Sequence, residues 1–126
     1  MSFECRIDSA GKVAWVTSRG ETSLGESIDA IRSASSEFHL TDDFGVLVDL
    51  REAAYPTSWD EAEEIAEAMA RISTRRHHRI ALVVSGYSRF ALASLIATLS
   101  GLRGAAVRAF RDLEPARAWL RHTPGP

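Results

Sequence analysis

Ser58 is the residue of this chain with the most direct chemical interpretation. It stands three residues before Glu61, the spacing of a helix capping box, in which the serine hydroxyl accepts from early helix N–H groups. A phosphate on that hydroxyl would add about −1.5 to −2 charges at a helix N-terminus and could order or block a binding surface. The sequence leaves both interpretations open, a helix cap and a phosphorylation switch.

Two short apolar runs, residues 46–50 and 80–84, predict strands that are buried on both faces. Because an open parallel sheet binds its ligands and partners at the carboxyl ends of its strands, the residues near and after the ends of these runs are candidates for a binding surface. They are Asp49, Thr57, Ser58, Trp59, Ser85, Gly86, Tyr87 and Ser88. We expect Asp49 to organise its loop by hydrogen bonding, since no second carboxylate, histidine or nucleophile is adjacent to it in sequence.

One dense basic run is a candidate anion patch, and it consists of Arg75, Arg76, His77, His78 and Arg79. It could hold a phosphate, an anionic lipid head group or an acidic partner, and a solvated loop is the simpler interpretation. The two adjacent histidines diverge in extended backbone and no further ligand spacing accompanies them, so no metal site is predicted. Glycine-rich phosphate loops and a Gly-x-Ser-x-Gly elbow are absent from the sequence, and we predict no catalytic residue and no cofactor.

Length and charge limit the classes of function. The 126 residues fit one domain, predicted over 1–121 with a loose tail at 122–126. A net charge of −2 provides no field that would steer the chain to nucleic acid. No apolar run has the length of a signal peptide core or a membrane span, and the single cysteine, Cys5, is expected to be a small buried residue in a reducing cytoplasm.

The hydrophobic periodicity predicts the order β-β-α-β-α-β-α-β-α. The expected fold is α/β, a mainly parallel sheet of about five strands with an N-terminal antiparallel hairpin and about four helices packed on it. Ser88 is expected to cap the third helix.

Four segments carry a resemblance to a known family, and they are residues 8–13, 46–51, 79–84 and 107–120. Together they resemble the STAS-like domains, which include the bacterial anti-sigma-factor antagonists and their small uncharacterised relatives. The resemblance implies a non-enzymatic regulatory module in which Ser58 matches a serine that a partner kinase phosphorylates. The chain departs from that motif, because Thr57 replaces the preceding acid and Trp59-Asp60 replaces a small Ser-Gly pair.

Residues 90–99 form a predicted helix that is apolar on almost every side. Such a helix is expected to be buried by a further surface in addition to one face of the sheet. Their outer surface would form a homodimer interface or the wall of an apolar pocket, and small residues such as Ala91, Ala93 and Ala97 favour the dimer. The leading hypothesis is therefore a cytoplasmic interaction module with an unidentified protein partner. The alternative is a carrier of a small apolar molecule or lipid, with a pocket between the third helix and the sheet. A cavity lined by Phe90, Leu92 or Ile96 would favour the carrier. A filled core with an exposed apolar patch near Trp59 or Tyr87 would favour the module.

Overall fold

A computed structural model describes residues 2–8, 10–21, 44–54, 63–67, 69–71 and 79–121, together with helical positions at 26, 29 and 33. The strands are β1 (Ser2–Asp8), β2 (Val13–Glu21), β3 (Gly45–Ala54), β4 (Ile80–Val83) and β5 (Val107–Phe110). Two complete helices follow β4 and β5, and we label them α1 (Tyr87–Gly101) and α2 (Leu113–Arg121). Residues 63–67 and 69–71 form a further helical segment between β3 and β4.

The five strands form one sheet in the order β1-β2-β3-β4-β5. β1 and β2 pair in antiparallel fashion, and every later pair is parallel. The predicted mainly parallel sheet with an antiparallel hairpin is therefore confirmed. β3 lies at its centre, and Val46, Leu47 and Val48 are almost completely buried, as expected for a strand covered on both faces.

Alternate side chains of the strands pack into two cores, one on each face of the sheet. On the first face, Val46, Val48, Leu50, Ile80 and Leu82 pack against the helical segment at 63–67 and 69–71 and against α1. On the second face, Leu47, Ala81, Val83 and Phe110 pack against Ala116 and Leu120 of α2. Each central strand is thus held from both sides, which fixes the positions of the residues at its ends.

α2 approaches the amino end of β3 closely because residue 45 is a glycine. A Cβ atom at Gly45 would lie 2.8 Å from Cδ2 of Leu120. Leu120 and Gly45 therefore pack together without room for a methyl group.

Cys5 is exposed, so its predicted burial is wrong. The period-two pattern assigned its face correctly, since Cys5 pairs with the buried Val16 in the antiparallel ladder. However, β1 is an edge strand of the sheet, and side chains on an edge are less covered than those of the central strands. Within the described ranges, no helix has both the length and the apolar composition needed to cross a membrane.

Candidate functional site at the carboxyl edge of the sheet

The parallel register places the middle of β3 beside the ends of β4 and β5, and β3 itself continues to Ala54 beside β2. Asp49 pairs with Val83, and Val83 pairs with Phe110, so the residues that follow these positions emerge at the same edge. We call this surface the carboxyl edge, and its described members are Asp49, Arg51, Ser85, Gly86, Tyr87, Ser88, Arg111 and Asp112.

Sequence reasoning placed five of these residues at one edge and missed Arg51, Arg111 and Asp112. Arg111 and Asp112 directly follow β5, so the rule that parallel strands end together contained the signal for them. Of the other predicted members, Thr57, Ser58 and Trp59 lie outside the described residues.

Asp49 and Arg51 form a two-pronged ion pair within β3, at and just beyond its last pair with β4. Nε of Arg51 donates to Oδ1 of Asp49 at 2.9 Å, and Nη2 donates to Oδ2 at 2.9 Å. The backbone N–H of Arg51 also donates to Oδ1, at 3.2 Å. The side chain of Asp49 is only 13% exposed and that of Arg51 is 40% exposed. Asp49 therefore holds Arg51 of its own strand through hydrogen bonds. No loop follows Asp49 directly, as the sequence analysis expected, because β3 continues to Ala54.

The ion pair keeps both groups charged at neutral pH. Burial works to raise the pKa of Asp49, but hydrogen bonds from the side chain and backbone of Arg51, together with the charges of Arg51 and Arg19, outweigh it and lower that pKa. The hydrogen bond to Asp49 raises the pKa of Arg51 against its own partial burial, and the charges of Glu52 and Asp112 act in the same direction. A carboxylate held ionised in this way is poorly matched to general acid–base catalysis near pH 7.

A break in the β2–β3 ladder lies next to the ion pair. Thr17 pairs with Asp49 but Arg19 pairs with Glu52, so Ser18 opposes two residues of β3 instead of one. Such a bulge bends the strand and leaves backbone groups outside the ladder. Near this irregularity, Oγ of Ser85 donates to the carbonyl oxygen of Arg51 at 3.2 Å, which ties the loop after β4 to the part of β3 that extends beyond its pairing with β4.

Gly86 sets the direction in which the chain enters α1. Its φ of 82° and ψ of 159° fall in a region of backbone conformation that only glycine adopts readily. The helix begins at Tyr87, so Ser88 lies inside its first turn and not at its cap. The prediction that Ser88 caps this helix is therefore wrong, because the turn at Gly86 starts the helix one residue before it. The first turn contains no side-chain cap hydrogen bond and no acidic residue.

Tyr87 is an exposed aromatic residue at the carboxyl edge, with 77% of its surface accessible. The guanidinium of Arg111 lies 4.5 Å from the centroid of the Tyr87 ring and 5.4 Å from that of Phe90. These are cation–π distances. Arg111 therefore holds an exposed tyrosine beside the end of β5.

An apolar cavity of about 160 Å³ lies behind the carboxyl edge, on the first face of the sheet. Leu50 and Leu82 line it from the strands, and Ile65 and Met69 from the helical segment; α1 contributes Ser88, Arg89, Leu92, Ala93 and Ile96. Leu92 and Ile96, two of the three residues expected to mark a carrier, are thus cavity residues. Tyr87 is exposed, as expected of an interaction module, but the filled core expected with it is not found, because the cavity interrupts the first core.

Arg79 lies away from the carboxyl edge, at the amino end of β4. Its Nη1 donates to the carbonyl oxygen of Trp119 at 2.8 Å, and its guanidinium lies 5.4 Å from the centroid of the Trp119 ring. This member of the predicted anion patch therefore anchors α2 to the sheet. The other four members, Arg75, Arg76, His77 and His78, lie outside the described residues. Among the residues that the structure describes, no group of three or more histidine, cysteine, aspartate or glutamate side chains is arranged to hold a metal ion.

No protein-family model matches the chain, and no curated protein matches it. A solved structure is similar to it, that of an uncharacterised protein of the DUF3478 family with a SpoIIAA-like fold from Shewanella loihica PV-4. The TM-score is 0.57 at 12% sequence identity, and the match covers 94% of this chain and 92% of that protein. At this identity the likeness establishes the fold. The chain has a SpoIIAA-like, STAS-like fold, as its sequence resemblance implies.

Proposed function

We propose that this chain is a non-enzymatic regulatory module that binds a protein partner at its carboxyl edge. The observation that carries the proposal is the exposed side chain of Tyr87, held by Arg111. Tyrosine and arginine are enriched among the residues that dominate the free energy of protein–protein binding. A tyrosine fixed by a neighbouring side chain also loses little conformational entropy on binding.

The other described side chains of the carboxyl edge suit protein binding better than catalysis. The carboxylate of Asp49 is bound to Arg51, and the hydroxyl of Ser85 donates to a backbone carbonyl group. Both side chains thus serve to fix the shape of the edge. A rigid edge with one exposed aromatic residue suits recognition of a partner surface.

The proposal includes two features that the sequence predicts. The first is a switch at Ser58, where a phosphate would change the charge of the same binding surface. Ser58→Asp should then change partner binding without unfolding the domain, whereas a pure helix cap should respond only in stability. The second is self-association through α1, whose Ala91 is exposed. Native mass spectrometry of the freshly purified chain reports the number of subunits.

Site-specific photo-crosslinking tests the carboxyl edge. Benzoylphenylalanine is placed at position 87 in one variant and at position 102 in another. Leu102 is a matched control, because it is 80% exposed and lies beyond the opposite end of α1. We expect a discrete crosslinked partner from position 87 and none from position 102. Equal crosslinking at both positions, or none at 87, would contradict the proposal.

The partner identified in this way then allows a direct measurement. With both proteins purified, Tyr87→Ser should weaken binding by about 30-fold, the effect of losing a contact worth about 2 kcal/mol. Leu102→Ser should leave the affinity unchanged.

A second candidate function is the binding of a small apolar molecule in the cavity, and the cavity itself favours it. Its volume of about 160 Å³ is close to the roughly 150 Å³ of an engineered apolar cavity that binds benzene. It is smaller than the roughly 300–1,000 Å³ of pockets that hold drug-sized ligands. The candidate ligand therefore has an apolar part of about the size of a benzene ring.

A further inference from the structure

Charge is distributed unevenly along this chain. Residues 1–70 contain 15 acidic and 5 basic residues, whereas residues 71–126 contain 2 acidic and 10 basic residues. The net charges of these two parts are therefore −10 and +8, which together give the −2 of the whole chain. A nearly neutral total thus results from two strong charges of opposite sign.

The fold turns this asymmetry in sequence into an asymmetry in space. The five strands lie in chain order across the sheet, so β1 is one edge and β5 is the other. Residues 79–121 are described without a gap, and they form β4, α1, β5 and α2. They contain seven arginines and two acidic residues. A partner that approaches the β5 side of the sheet therefore meets a positive surface.

Three exposed arginines lie along β5: Arg103 precedes the strand, Arg108 lies within it, and Arg111 follows it. We call them the basic edge. Arg108 lies 5.4 Å from the centroid of the Phe110 ring, and Arg111 lies against Tyr87. An aromatic ring has no net charge, so these contacts orient the two guanidinium groups without neutralising them. Within the described ranges, no carboxylate oxygen lies within 4.0 Å of any of the three guanidinium groups.

The two acidic residues on this side of the sheet do not balance its positive charge. Glu114 forms an ion pair with Arg117 at 3.2 Å. Asp112 follows Arg111 in sequence, and its charge also acts on Arg51. Two carboxylates cannot neutralise seven guanidinium groups, so the basic edge keeps a positive charge.

We propose that the partner bound at the carboxyl edge is a separate protein with an acidic surface, whose carboxylates pair with the basic edge beside Tyr87. This proposal rests on the proposed function and adds the chemical class of the partner to it. The two surfaces are continuous, because Arg111 belongs to both and holds the exposed tyrosine. Arginine suits the role, since its guanidinium group binds a carboxylate through two parallel hydrogen bonds.

Two other partners with negative charge fit the basic edge less well. A nucleic acid strand would extend beyond three arginines and approach the acidic part of the chain, residues 1–70. A second copy of this chain would bind through its own acidic part and leave its basic edge exposed, so the contact would repeat without closing. A separate protein with an acidic surface meets neither difficulty.

Fluorescence anisotropy of a labelled acidic peptide tests the preference for carboxylates. The probe is a peptide of about ten residues in which glutamate alternates with glycine, and the control peptide has glutamine in place of glutamate. We expect the glutamate peptide to bind the full chain at about 0.05 M salt and to be released at about 0.5 M salt, because salt screens exposed charges. The glutamine peptide should not bind.

Arg108→Glu and Arg6→Glu locate the bound peptide. The two arginines are matched, because each is an exposed residue of an edge strand and lies 5.4 Å from the centroid of an aromatic ring. Both substitutions also change the net charge equally. We expect Arg108→Glu to raise the Kd at least about fivefold and Arg6→Glu to leave it nearly unchanged. Arg103→Glu is a second variant of the basic edge, should Arg108→Glu fail to fold as judged by circular dichroism.

The outcomes separate this proposal from the function on which it rests. If the glutamate peptide does not bind, or if both charge reversals weaken it equally, the acidic class of the partner is wrong. A protein crosslinked at position 87 would then leave the protein-binding function standing. If position 87 gives no crosslinked partner, both proposals are overturned.

Two further measurements distinguish the other partners. Tighter binding of a polyuridine strand of the same length than of the glutamate peptide would overturn the proposal in favour of a nucleic acid. Self-association that is abolished both by high salt and by Arg108→Glu would overturn it in favour of a second copy.

Discussion

Asp49→Asn should destabilise the domain at neutral pH, because it removes the largely buried anion of an ion pair. The substitution keeps the size of the side chain and replaces one charged oxygen by an amide nitrogen, which cannot accept from Arg51. In the structure, three donors of Arg51 lie 2.9, 2.9 and 3.2 Å from the two carboxylate oxygens. The variant thus loses both the charge attraction and at least one acceptor.

The size of the effect lies between two limits. Hydrogen bonds to charged groups contribute about 1.5–3 kcal/mol when they are buried, and exposed ion pairs contribute about 0–1 kcal/mol. The Asp49 side chain is 13% exposed, but the Arg51 side chain is 40% exposed and can turn to water once its partner is lost. We therefore expect a loss of about 1–2 kcal/mol in the free energy of unfolding, after allowing for solvent screening at Arg51.

The pH dependence of the stability loss distinguishes a lost ion pair from a packing defect, because a packing defect would cost the same stability at every pH. Folding lowers the pKa of Asp49 below its ordinary value of 3.8, so its stabilising effect is fully present above that value and is lost as the pH falls through the folded pKa. The stability difference between the native chain and Asp49→Asn should stay constant from about pH 7 to pH 5 and shrink below about pH 4.

Urea denaturation at a series of pH values measures the difference, provided that the m-value is unchanged. Glu52→Gln is the matched control, because Glu52 pairs with Arg19 at 2.9 Å while its side chain is 70% exposed. Glu52→Gln should lower the free energy of unfolding by less than about 0.5 kcal/mol. If Asp49→Asn costs no more than Glu52→Gln, or if its cost does not change between pH 7 and pH 3, the role assigned to the ion pair is wrong.

Two further predictions concern glycines. Gly86→Ala should lower the free energy of unfolding by about 1–3 kcal/mol through backbone strain alone, because a Cβ at Gly86 would have nothing within 4 Å while its φ is 82°. Gly101 is the control, since a Cβ there would also meet open space and its φ is not positive. Gly101→Ala should be neutral or stabilising in the same urea assay. Gly45→Ala should also lower the free energy of unfolding by about 1–3 kcal/mol, because its Cβ would lie 2.8 Å from Leu120. If thermal or urea denaturation shows no loss of stability, the close approach of α2 to β3 is refuted.

The sequence was sufficient to predict the sheet because local pattern and global topology agree there. Residues 46–48 and 50 are apolar, and a short apolar run of this kind is typical of a strand covered on both faces. The same logic placed Asp49 and residues 85–88 at one edge, since parallel strands end together. Burial at the edge of the sheet was harder to predict, as Cys5 shows. A period-two pattern gives the face on which a side chain lies, but it does not show whether other elements cover that face at an edge strand.

The contacts within the carboxyl edge depend on geometry that no local pattern encodes. The bulge opposite Ser18 depends on how two strands pair, and the contact of Arg111 with Tyr87 joins residues that are distant in sequence. The start of α1 depended on Gly86, whose conformation outweighed the serine that sequence rules favoured as a cap. The cavity likewise is lined by β3, β4, the helical segment before β4 and α1, which lie far apart in sequence.

Both candidate functions use the first turn of α1, and this determines which variants can separate them. Tyr87 points to a protein partner, and Ser88 and Arg89, the next two residues, line the mouth of the cavity. Because Gly86 directs this whole turn, a loss of binding in Gly86→Ala would be expected from either function and could not decide between them. Substitution of Tyr87 changes an exposed ring outside the cavity, and Ala93→Leu changes the buried interior. Comparing a Tyr87 variant with Ala93→Leu therefore shows whether a binding activity belongs to the carboxyl edge or to the cavity.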